Sequence, residues 1–227
     1  MSRTLILPDI HCEYGLAEKI ILKESPDKTI FLGDYFDNYD TRPEITRKTA
    51  SWLHISVESE NRIHLIGNHE LFYVNGNRNL QCSGNEDWKY GIVKKQNIPW
   101  SKFRMSEWVG DYLVTHAGVS SIFYKIFKNT DDFKTWLSIE SCKALQSLLD
   151  DRYHSFFNIG FTRGGNHEVG GPLWCDINEF KPIKGIKQIF GHTNLPRPWE
   201  KYNNNWCIDS KGYYAIYENG ELKIDSI

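Results

Sequence analysis

Six polar side chains of three kinds could carry out chemistry in this protein. They are Asp9, His11, Asp34, Asn68, His116 and His192. Carboxylates, imidazoles and one amide oxygen suit two divalent ions such as manganese, iron or zinc, rather than a thiolate-bound structural zinc. Two ions about 3.5–4 Å apart can share a carboxylate, convert a bound water into hydroxide and hold the oxygens of an in-line displacement at phosphorus. The six residues therefore predict a two-metal site suited to phosphate ester chemistry.

The elements that must position these residues are short apolar segments rich in β-branched side chains. Such segments are expected for strands that are buried on both faces. We predict strands over residues 4–7, 29–32, 62–66, 112–115 and 188–190, and a polar motif follows each of them. In α/β sheets, ligands bind in the crevice beyond the carboxyl ends of the strands. If the strands are neighbours, their ends bring the six side chains together.

Helical patterns lie between the early strands, and further strands come late in the chain. Helices are predicted over residues 14–24, 44–59 and 133–149, with hairpins around Gly110-Asp111 and Asn219-Gly220. This order indicates a layered α/β domain. The glycine-rich stretch 160–172 is the longest irregular segment, and long loops are often functional. No linker divides the chain, so we expect one domain over residues 1–227.

Composition narrows the choice of partner and compartment. The 227 residues carry 27 Lys and Arg against 29 Asp and Glu, a net charge of -2, which argues against stable nucleic-acid binding. A single phosphate can still be bound through local metal charge. Five widely spaced cysteines argue against a disulfide framework and favour a reducing compartment. Without a signal-peptide pattern or a membrane-spanning apolar run, we expect a cytoplasmic protein with no membrane partner.

Five motifs, in this order along most of the chain, resemble the calcineurin-like metallophosphoesterase superfamily. They are Asp9-x-His11, Gly33-Asp34-x-x-Asp37, Gly67-Asn68-His69-Glu70, His116-Ala117-Gly118 and Gly191-His192-Thr193. A single motif such as Asp-x-His often arises by chance, whereas five motifs in order are very specific. The Gly-Asp-Tyr-x-Asp and Gly-Asn-His-Glu forms are most similar to the phosphoprotein phosphatase (serine/threonine phosphatase) branch. The resemblance implies a four-layer αββα sandwich and a phosphoester hydrolase.

The resemblance also implies a role for each motif residue. Asp9 and His11 would bind a first metal ion, and Asp34 would bridge both ions. Asn68, His116 and His192 would hold the second ion, and Asn68 would also contact the substrate. His69 would protonate the leaving oxygen, with Asp37 hydrogen-bonded to it and keeping it cationic. The expected ions are two divalent metals, manganese first, with iron, zinc or nickel as alternatives.

Three departures from the family pattern concern the phosphate and the first metal. Where the phosphatase branch carries two phosphate-binding arginines, this chain has Asn38-Tyr39 and Ile66. We expect Arg163, in the glycine-rich loop, to replace them, with Arg42 and Arg197 as weaker candidates. Asn194 stands where many relatives have a further histidine ligand.

Four functions remain open on the sequence alone. The first is hydrolysis of phosphate monoesters, above all phosphoserine or phosphothreonine in proteins. Hydrolysis of nucleotides or dinucleoside polyphosphates comes second, and phosphodiester hydrolysis third. A monoester dianion needs more cationic partners than a diester, so the missing arginines weaken the first reading. A non-catalytic binding scaffold is the fourth, although the full ligand set and His69 are present.

Overall fold

The structure is a computed structural model that describes residues 2–38, 42–202 and 204–227. Within these residues the chain forms ten strands and six α-helices. The strands are β1 (Thr4–Leu7), β2 (Lys28–Phe31), β3 (Arg62–His64), β4 (Ser106–Val109), β5 (Tyr112–Thr115), β6 (Lys187–Phe190), β7 (Trp199–Glu200), β8 (Asn205–Cys207), β9 (Tyr213–Glu218) and β10 (Glu221–Ser226). The helices are α1 (Tyr14–Glu24), α2 (Pro43–Val57), α3 (Glu70–Asn75), α4 (Asp87–Lys94), α5 (Ser121–Phe127) and α6 (Phe133–Leu149).

The strands form two mixed sheets of five strands each. The first has the order β10-β9-β1-β2-β3, and its members β1, β2 and β3 are parallel. The second has the order β4-β5-β6-β8-β7, and its members β5, β6 and β8 are parallel. Antiparallel strands flank both parallel cores. The predicted hairpin at Asn219-Gly220 joins β9 to β10, and both turn residues have the positive φ of 55° and 84° that such a turn needs.

Successive side chains along each strand point to opposite faces of the sheet, and this alternation produces the layers of the fold. Ile6, Ile30 and Ile189 belong to a buried cluster that contains residues of both sheets and fills the space between them. Their neighbours Leu5 and Phe31 face the opposite way and join the larger cluster that includes residues of the helices. Because side chains alternate across a strand, each sheet is covered by its partner sheet on one face and by helices on the other. The four-layer α/β sandwich is therefore confirmed.

Several element boundaries differ from the predicted ones by one to two residues, and two of the differences have local reasons. Helix α2 begins at Pro43 rather than residue 44, since proline suits the first helical turn, where its missing N–H is not needed. The predicted hairpin around Gly110-Asp111 is present, but its first strand β4 begins only at Ser106, because Arg104 pairs instead with Leu65 as an isolated bridge. No helix in the described ranges has both the length and the apolar character to cross a membrane.

All six parallel strands end at the same edge of the two-sheet layer. The loops after β1, β2 and β3 come from the first sheet, and the loops after β5, β6 and β8 come from the second. Two sheets thus contribute three strand ends each to one crevice, which is where ligands bind in α/β folds.

Candidate metal centre

The crevice brings the six predicted ligands together. Two sets of three residues could each hold a metal ion, because within each set the possible ligand atoms all lie within 4.8 Å of one another. One set is Asp34, His116 and His192, and the other is Asp9, His11 and Asp34. Asp34 belongs to both sets. The sixth residue, Asn68, joins the first set, because its Oδ1 lies 2.9 Å from His116 Nε2 and 2.9 Å from His192 Nδ1.

His116 shows that the first set suits a cation. Its Nδ1 lies 2.9 Å from the carbonyl oxygen of Leu32, which can only accept, so Nδ1 carries the proton. Burial lowers the pKa of His116, which favours the neutral ring, and in that form Nε2 presents a lone pair. That lone pair faces Asn68 Oδ1, another acceptor. Two acceptors this close repel each other unless a cation lies between them, so the donor set fits a divalent metal ion.

The second set is oriented in the same way. His11 Nδ1 lies 2.9 Å from the carbonyl oxygen of Phe36, which leaves Nε2 turned toward Asp34 Oδ2 at 3.9 Å. Both oxygens of Asp9 lie 3.1 Å from the backbone nitrogen of His192. This contact ties the loop after β1 to the loop after β6, so the two ligand sets are positioned together.

Negative charge is concentrated around Asp34, the residue common to both candidate ligand sets. Burial, Asp209 and Asp34 all raise the pKa of Asp9. Burial also raises the pKa of Asp209, which follows β8, to about 6. The pKa of Asp34 is lowered instead. Burial raises it, but the imidazoles of His116, His69 and His11 lower it by more than burial raises it. Asp34 and Asp209 are buried and Asp9 is partly buried. Three carboxylates this close together in one crevice repel one another, and divalent cations would relieve that repulsion.

Unusual backbone geometry places these side chains. His11, Asp34, Asp37 and His192 all have a positive φ, at 39°, 50°, 68° and 67°. Such conformations cost non-glycine residues of order 1–3 kcal/mol each and cluster at functional sites. The surrounding hydrogen bonds must therefore hold the loops in place.

Two glycines allow the loops to approach these side chains closely. A Cβ added at Gly67 would lie 2.2 Å from Asp34 Oδ1, and one added at Gly191 would lie 2.1 Å from Asp9 Oδ1. Both separations are shorter than any ordinary contact. The backbone therefore approaches the carboxylates of Asp34 and Asp9 closely at these two glycines.

Glu70 is a supporting residue to which the sequence assigned no role, although it is the last member of Gly-Asn-His-Glu. It is fully buried, and its carboxylate accepts hydrogen bonds from three backbone nitrogens: Asp34 at 2.8 Å, Tyr35 at 2.9 Å and Gly67 at 2.9 Å. It therefore holds the loops after β2 and β3 against each other and contacts the backbone of Asp34 itself.

His69 and Asp37 form the expected pair. His69 Nδ1 lies 3.0 Å from Asp37 Oδ2, and His69 Nε2 lies 3.9 Å from Asp34 Oδ2, on the metal side of the ring. Burial lowers the pKa of His69, but Asp34 and the hydrogen bond to Asp37 outweigh it and raise the pKa well above its usual value. The ring is therefore cationic and able to give up a proton.

Arg163 lies at the wall of the crevice, in a short turn of the glycine-rich loop. Its Nε pairs with Asp176 Oδ2 at 2.8 Å, and its Nη2 donates to Thr193 Oγ1 at 3.1 Å. No described residue accepts a hydrogen bond from Nη1. Asp176 and Thr193 thus hold the guanidinium beside the loop that carries His192. Tyr39, which stands in place of a family residue, lies outside the described residues.

The cavity above these residues has a volume of about 980 Å³. Its walls include Asp9, His11, Asp34, His69 and Arg163. Arg42 and Arg197, the weaker phosphate-binding candidates, are not among the lining residues. Lys89, which no sequence motif marks, is one of them. The cavity is much larger than an inorganic phosphate needs, so it has room for a leaving group.

The sequence model of the calcineurin-like phosphoesterase family matches residues 2–196. The chain belongs to this family. The phosphoesterase is accordingly a hydrolase of phosphoester bonds, and the resemblance seen in its five motifs is confirmed. The family uses a dinuclear divalent metal site, and this phosphoesterase has candidate ligands for one.

Solved structures share the fold of this phosphoesterase at low sequence identity. A cold-active protein-tyrosine phosphatase of a psychrophile Shewanella species has a TM-score of 0.65 at 15% identity, over 100% of this chain and 78% of that one. A serine/threonine phosphatase of Saccharomyces cerevisiae has a TM-score of 0.51 at 14% identity, over 100% and 79%. A putative diadenosine tetraphosphatase has a TM-score of 0.50 at 15% identity, over 99% and 93%. No curated protein matches the sequence.

Proposed function

We propose that this phosphoesterase hydrolyses phosphate monoesters, with phosphoserine or phosphothreonine in proteins as the leading substrate class. One observation carries the proposal: two sets of ligand atoms share Asp34 beside the hydrogen-bonded pair His69–Asp37. When bound, two divalent ions would supply an activated water and stabilise the charge that develops on the oxygens at phosphorus. Manganese is the first choice, with iron, zinc or nickel as alternatives, because these ligands accept several ions.

The ligands divide between two ions in this proposal. Asp9 and His11 hold the first ion and Asp34 belongs to both. The second ion is held by three side chains, Asn68, His116 and His192. The backbone carbonyls of Phe36 and Leu32 support this division, since they fix the rings of His11 and His116 with Nε2 facing the crevice.

His69 acts as the general acid. Its ring is held at Nδ1 by Asp37, and its Nε2 faces the crevice, where the leaving oxygen of a bound ester would lie. By protonating that oxygen, His69 avoids the release of a basic alkoxide. General acid catalysis of this kind raises the rate by about 10²–10⁴-fold. Asp37 favours the cationic ring before the proton is transferred.

Arg163 and Asn68 bind the substrate phosphate. Arg163 is held by Asp176 and Thr193 at the cavity wall, and its Nη1 makes no hydrogen bond within the described residues. A guanidinium fixed in this way can donate to a phosphate oxygen without losing rotamer freedom on binding. The amide nitrogen of Asn68 lies 3.7 Å from Cys82 Sγ and can turn to a substrate oxygen when Cys82 releases it.

The relatives in fold agree with a phosphatase and leave room for a second substrate class. The Shewanella and yeast proteins are named as protein phosphatases, and one further relative as a putative diadenosine tetraphosphatase. The 980 Å³ cavity favours the nucleotide or dinucleoside polyphosphate class as the second candidate, because it can accommodate a large leaving group.

The assay that tests the proposal compares p-nitrophenyl phosphate with bis-p-nitrophenyl phosphate, using the purified chain and manganese. We expect a preference for the monoester, followed by turnover of phosphoserine and phosphothreonine peptides. A preference for the diester would contradict the proposal and identify a phosphodiesterase. Faster turnover of diadenosine tetraphosphate than of any phosphopeptide would identify the second class instead.

Replacement of Arg163 tests the phosphate-binding role separately. Arg163→Ala should raise KM for p-nitrophenyl phosphate by about tenfold or more, since a charge-assisted hydrogen bond contributes about 1.5–3 kcal/mol. Arg197→Ala is the matched control, because Arg197 is exposed and does not line the cavity. An equal KM in both variants would remove Arg163 from the binding site.

A further inference from the structure

The carboxylate of Asp37 is surrounded by four hydrogen-bond donors. Its Oδ1 accepts from the Tyr73 hydroxyl at 2.6 Å and from Lys89 Nζ at 3.0 Å. Its Oδ2 accepts from His69 Nδ1 at 3.0 Å and from Asn85 Nδ2 at 2.5 Å. A carboxylate offers about four lone-pair sites, and all of them are used here. Because the side chain is completely buried, it can turn only when one of these donors is lost.

Of the four donors around Asp37, Lys89 is the one whose burial is most unfavourable. It lies on α4, is 3% exposed, and stands 52 positions from Asp37 in the sequence. Burying an ammonium group is unfavourable unless its charge is paired and its protons are bonded. Besides Asp37, its Nζ donates to the carbonyl oxygen of Gly84 at 2.6 Å, whereas the carboxylate of Glu86 is further away at 3.8 Å. Among the described residues, the opposite charge nearest to Lys89 is therefore that of Asp37.

The orientation of Asp37 determines the orientation of His69. Burial raises the pKa of Asp37, but the bonds from His69, Tyr73 and Lys89 outweigh it and lower the pKa. An ionised carboxylate can only accept, so the proton on this side of the imidazole must be on His69 Nδ1. Nε2 is then directed toward the metal ligands, 3.9 Å from Asp34 Oδ2.

We propose that Lys89 is a positioning residue: it fixes the Asp37 carboxylate so that His69 presents Nε2 to the leaving oxygen of the substrate. This inference rests on the proposed function, because it requires His69 to be the proton donor. The competing role for Lys89 is direct contact with the substrate phosphate, since the residue lines the cavity. Gly84 and Asp37 already take two of its three protons, which favours the positioning role.

Three variants separate these roles. Lys89→Met removes the charge and the donor, and Lys89→Arg restores both. Lys95→Met is the matched control, because Lys95 is an exposed lysine at the end of the same helix. Melting temperatures establish that each variant is folded, and Lys89→Gln replaces Lys89→Met if the latter is not.

The kinetic test uses two substrates of similar size, phenyl phosphate and p-nitrophenyl phosphate. Phenolate is the more basic leaving group and depends more on protonation by His69. With Lys89→Met, kcat should fall about tenfold or more for phenyl phosphate and by about twofold at most for p-nitrophenyl phosphate. KM and inhibition by inorganic phosphate should stay unchanged, and Lys89→Arg should recover most of the loss.

Two kinetic results would overturn the positioning role. Equal losses on both substrates, with weaker inhibition by inorganic phosphate, would make Lys89 a phosphate ligand. No change on either substrate would mean that Asp37 holds its orientation without Lys89. His69→Ala, measured in parallel, separates the two proposals: if it shows no dependence on the leaving group, the general-acid role is wrong whatever Lys89 does.

A spectroscopic test does not depend on turnover. In the ¹⁵N–¹H spectrum of histidine-labelled protein loaded with zinc, the His69 Nδ1–H signal is assigned by its loss in His69→Ala. We expect this hydrogen-bonded proton in the original chain, in Lys89→Arg and in Lys95→Met. In Lys89→Met it should shift or exchange away. An unchanged signal in Lys89→Met would contradict the inference even if no monoester were hydrolysed.

Discussion

The carboxylate of Glu70 accepts a hydrogen bond from the backbone nitrogen of Asp34, with 2.8 Å between the two atoms. The same oxygen accepts from Gly67 N at 2.9 Å. One buried side chain thus links the loop that carries Asp34 to the loop that carries Asn68 and His69. The positive φ of Asp34 is maintained by this contact rather than by local preference.

Glu70→Gln should therefore weaken both folding and metal binding. The amide keeps one acceptor oxygen but turns an N–H₂ group toward backbone donors, which leaves buried N–H groups without an acceptor. The expected loss is about 1–3 kcal/mol in the free energy of unfolding, measured by urea titration. Glu221→Gln, at an exposed position of β10, is the control and should change little. Equal stability of the two variants would mean that Glu70 is not an anchor.

Gly191→Ala should displace Asp9. The new methyl group would be placed 2.1 Å from Asp9 Oδ1, so either the ligand or the loop must move. A displacement of this size should lower phosphatase activity by about 10- to 100-fold. The control is Gly91→Ala on α4, where a Cβ meets nothing within 4 Å and the change should stabilise the helix by about 0.5–1 kcal/mol. Full activity of Gly191→Ala would show that Asp9 does not need this close approach.

Asp34→Asn should abolish activity and reduce the bound metal at both positions. Asp34 belongs to both ligand sets, and the amide removes the negative charge that both ions would share. Metal content by mass spectrometry and hydrolysis of p-nitrophenyl phosphate measure the two effects. Asp111→Asn, at an exposed position paired with Lys187, is the control. Retention of two ions per chain in Asp34→Asn would contradict a shared ligand.

The sequence predicted those elements whose pattern is local. Helix α6 and strand β1 have the predicted bounds, because a long apolar period and a short β-branched run are both readable in one segment. Helices α3 and α5 were missed: with 6 and 7 residues they are too short to show a helical period. Strand β8, Asn205–Cys207, has no β-branched residue, and its strand conformation comes from pairing with β6.

The residues of the candidate site also divide into those that a local motif predicts and those that only the packing of the chain brings together. The six candidate ligands and the pair His69–Asp37 were predictable because each stands in a motif that follows a strand. Lys89 and Asn85 were not, because no motif surrounds them and they meet Asp37 only through the packing of α4 and its preceding loop. Glu70 was visible in its motif, but its three backbone partners depend on how two loops meet in space.

His64 gives a prediction for stability against pH. It is 2% exposed and stacked on Phe31, and burial, with Arg62 acting in the same direction, lowers its pKa to about 3. Between pH 6.5 and 3 the unfolded chain binds a proton that the folded chain does not, so acid favours unfolding. His64 should therefore lower the free energy of unfolding by up to about 1.4 kcal/mol for each pH unit below pH 6.5, and it should have no such effect above pH 6.5.

The measurement is urea unfolding of the original chain and of His64→Gln at pH 7.5, 6.5 and 5.5. The difference in unfolding free energy between the two proteins should shrink as pH falls, because the variant has no imidazole to protonate. The same difference at all three pH values would show that His64 does not titrate differently in the two states.

Metal dependence tests the central claim most directly. The chain is stripped with a chelator, manganese is returned in steps, and bound metal and hydrolysis of p-nitrophenyl phosphate are measured on the same samples. We predict no activity without metal, and a rate that rises with occupancy and levels off at two ions per chain. Undiminished hydrolysis by the stripped chain, or full activity with a single ion bound, would contradict the two-metal account.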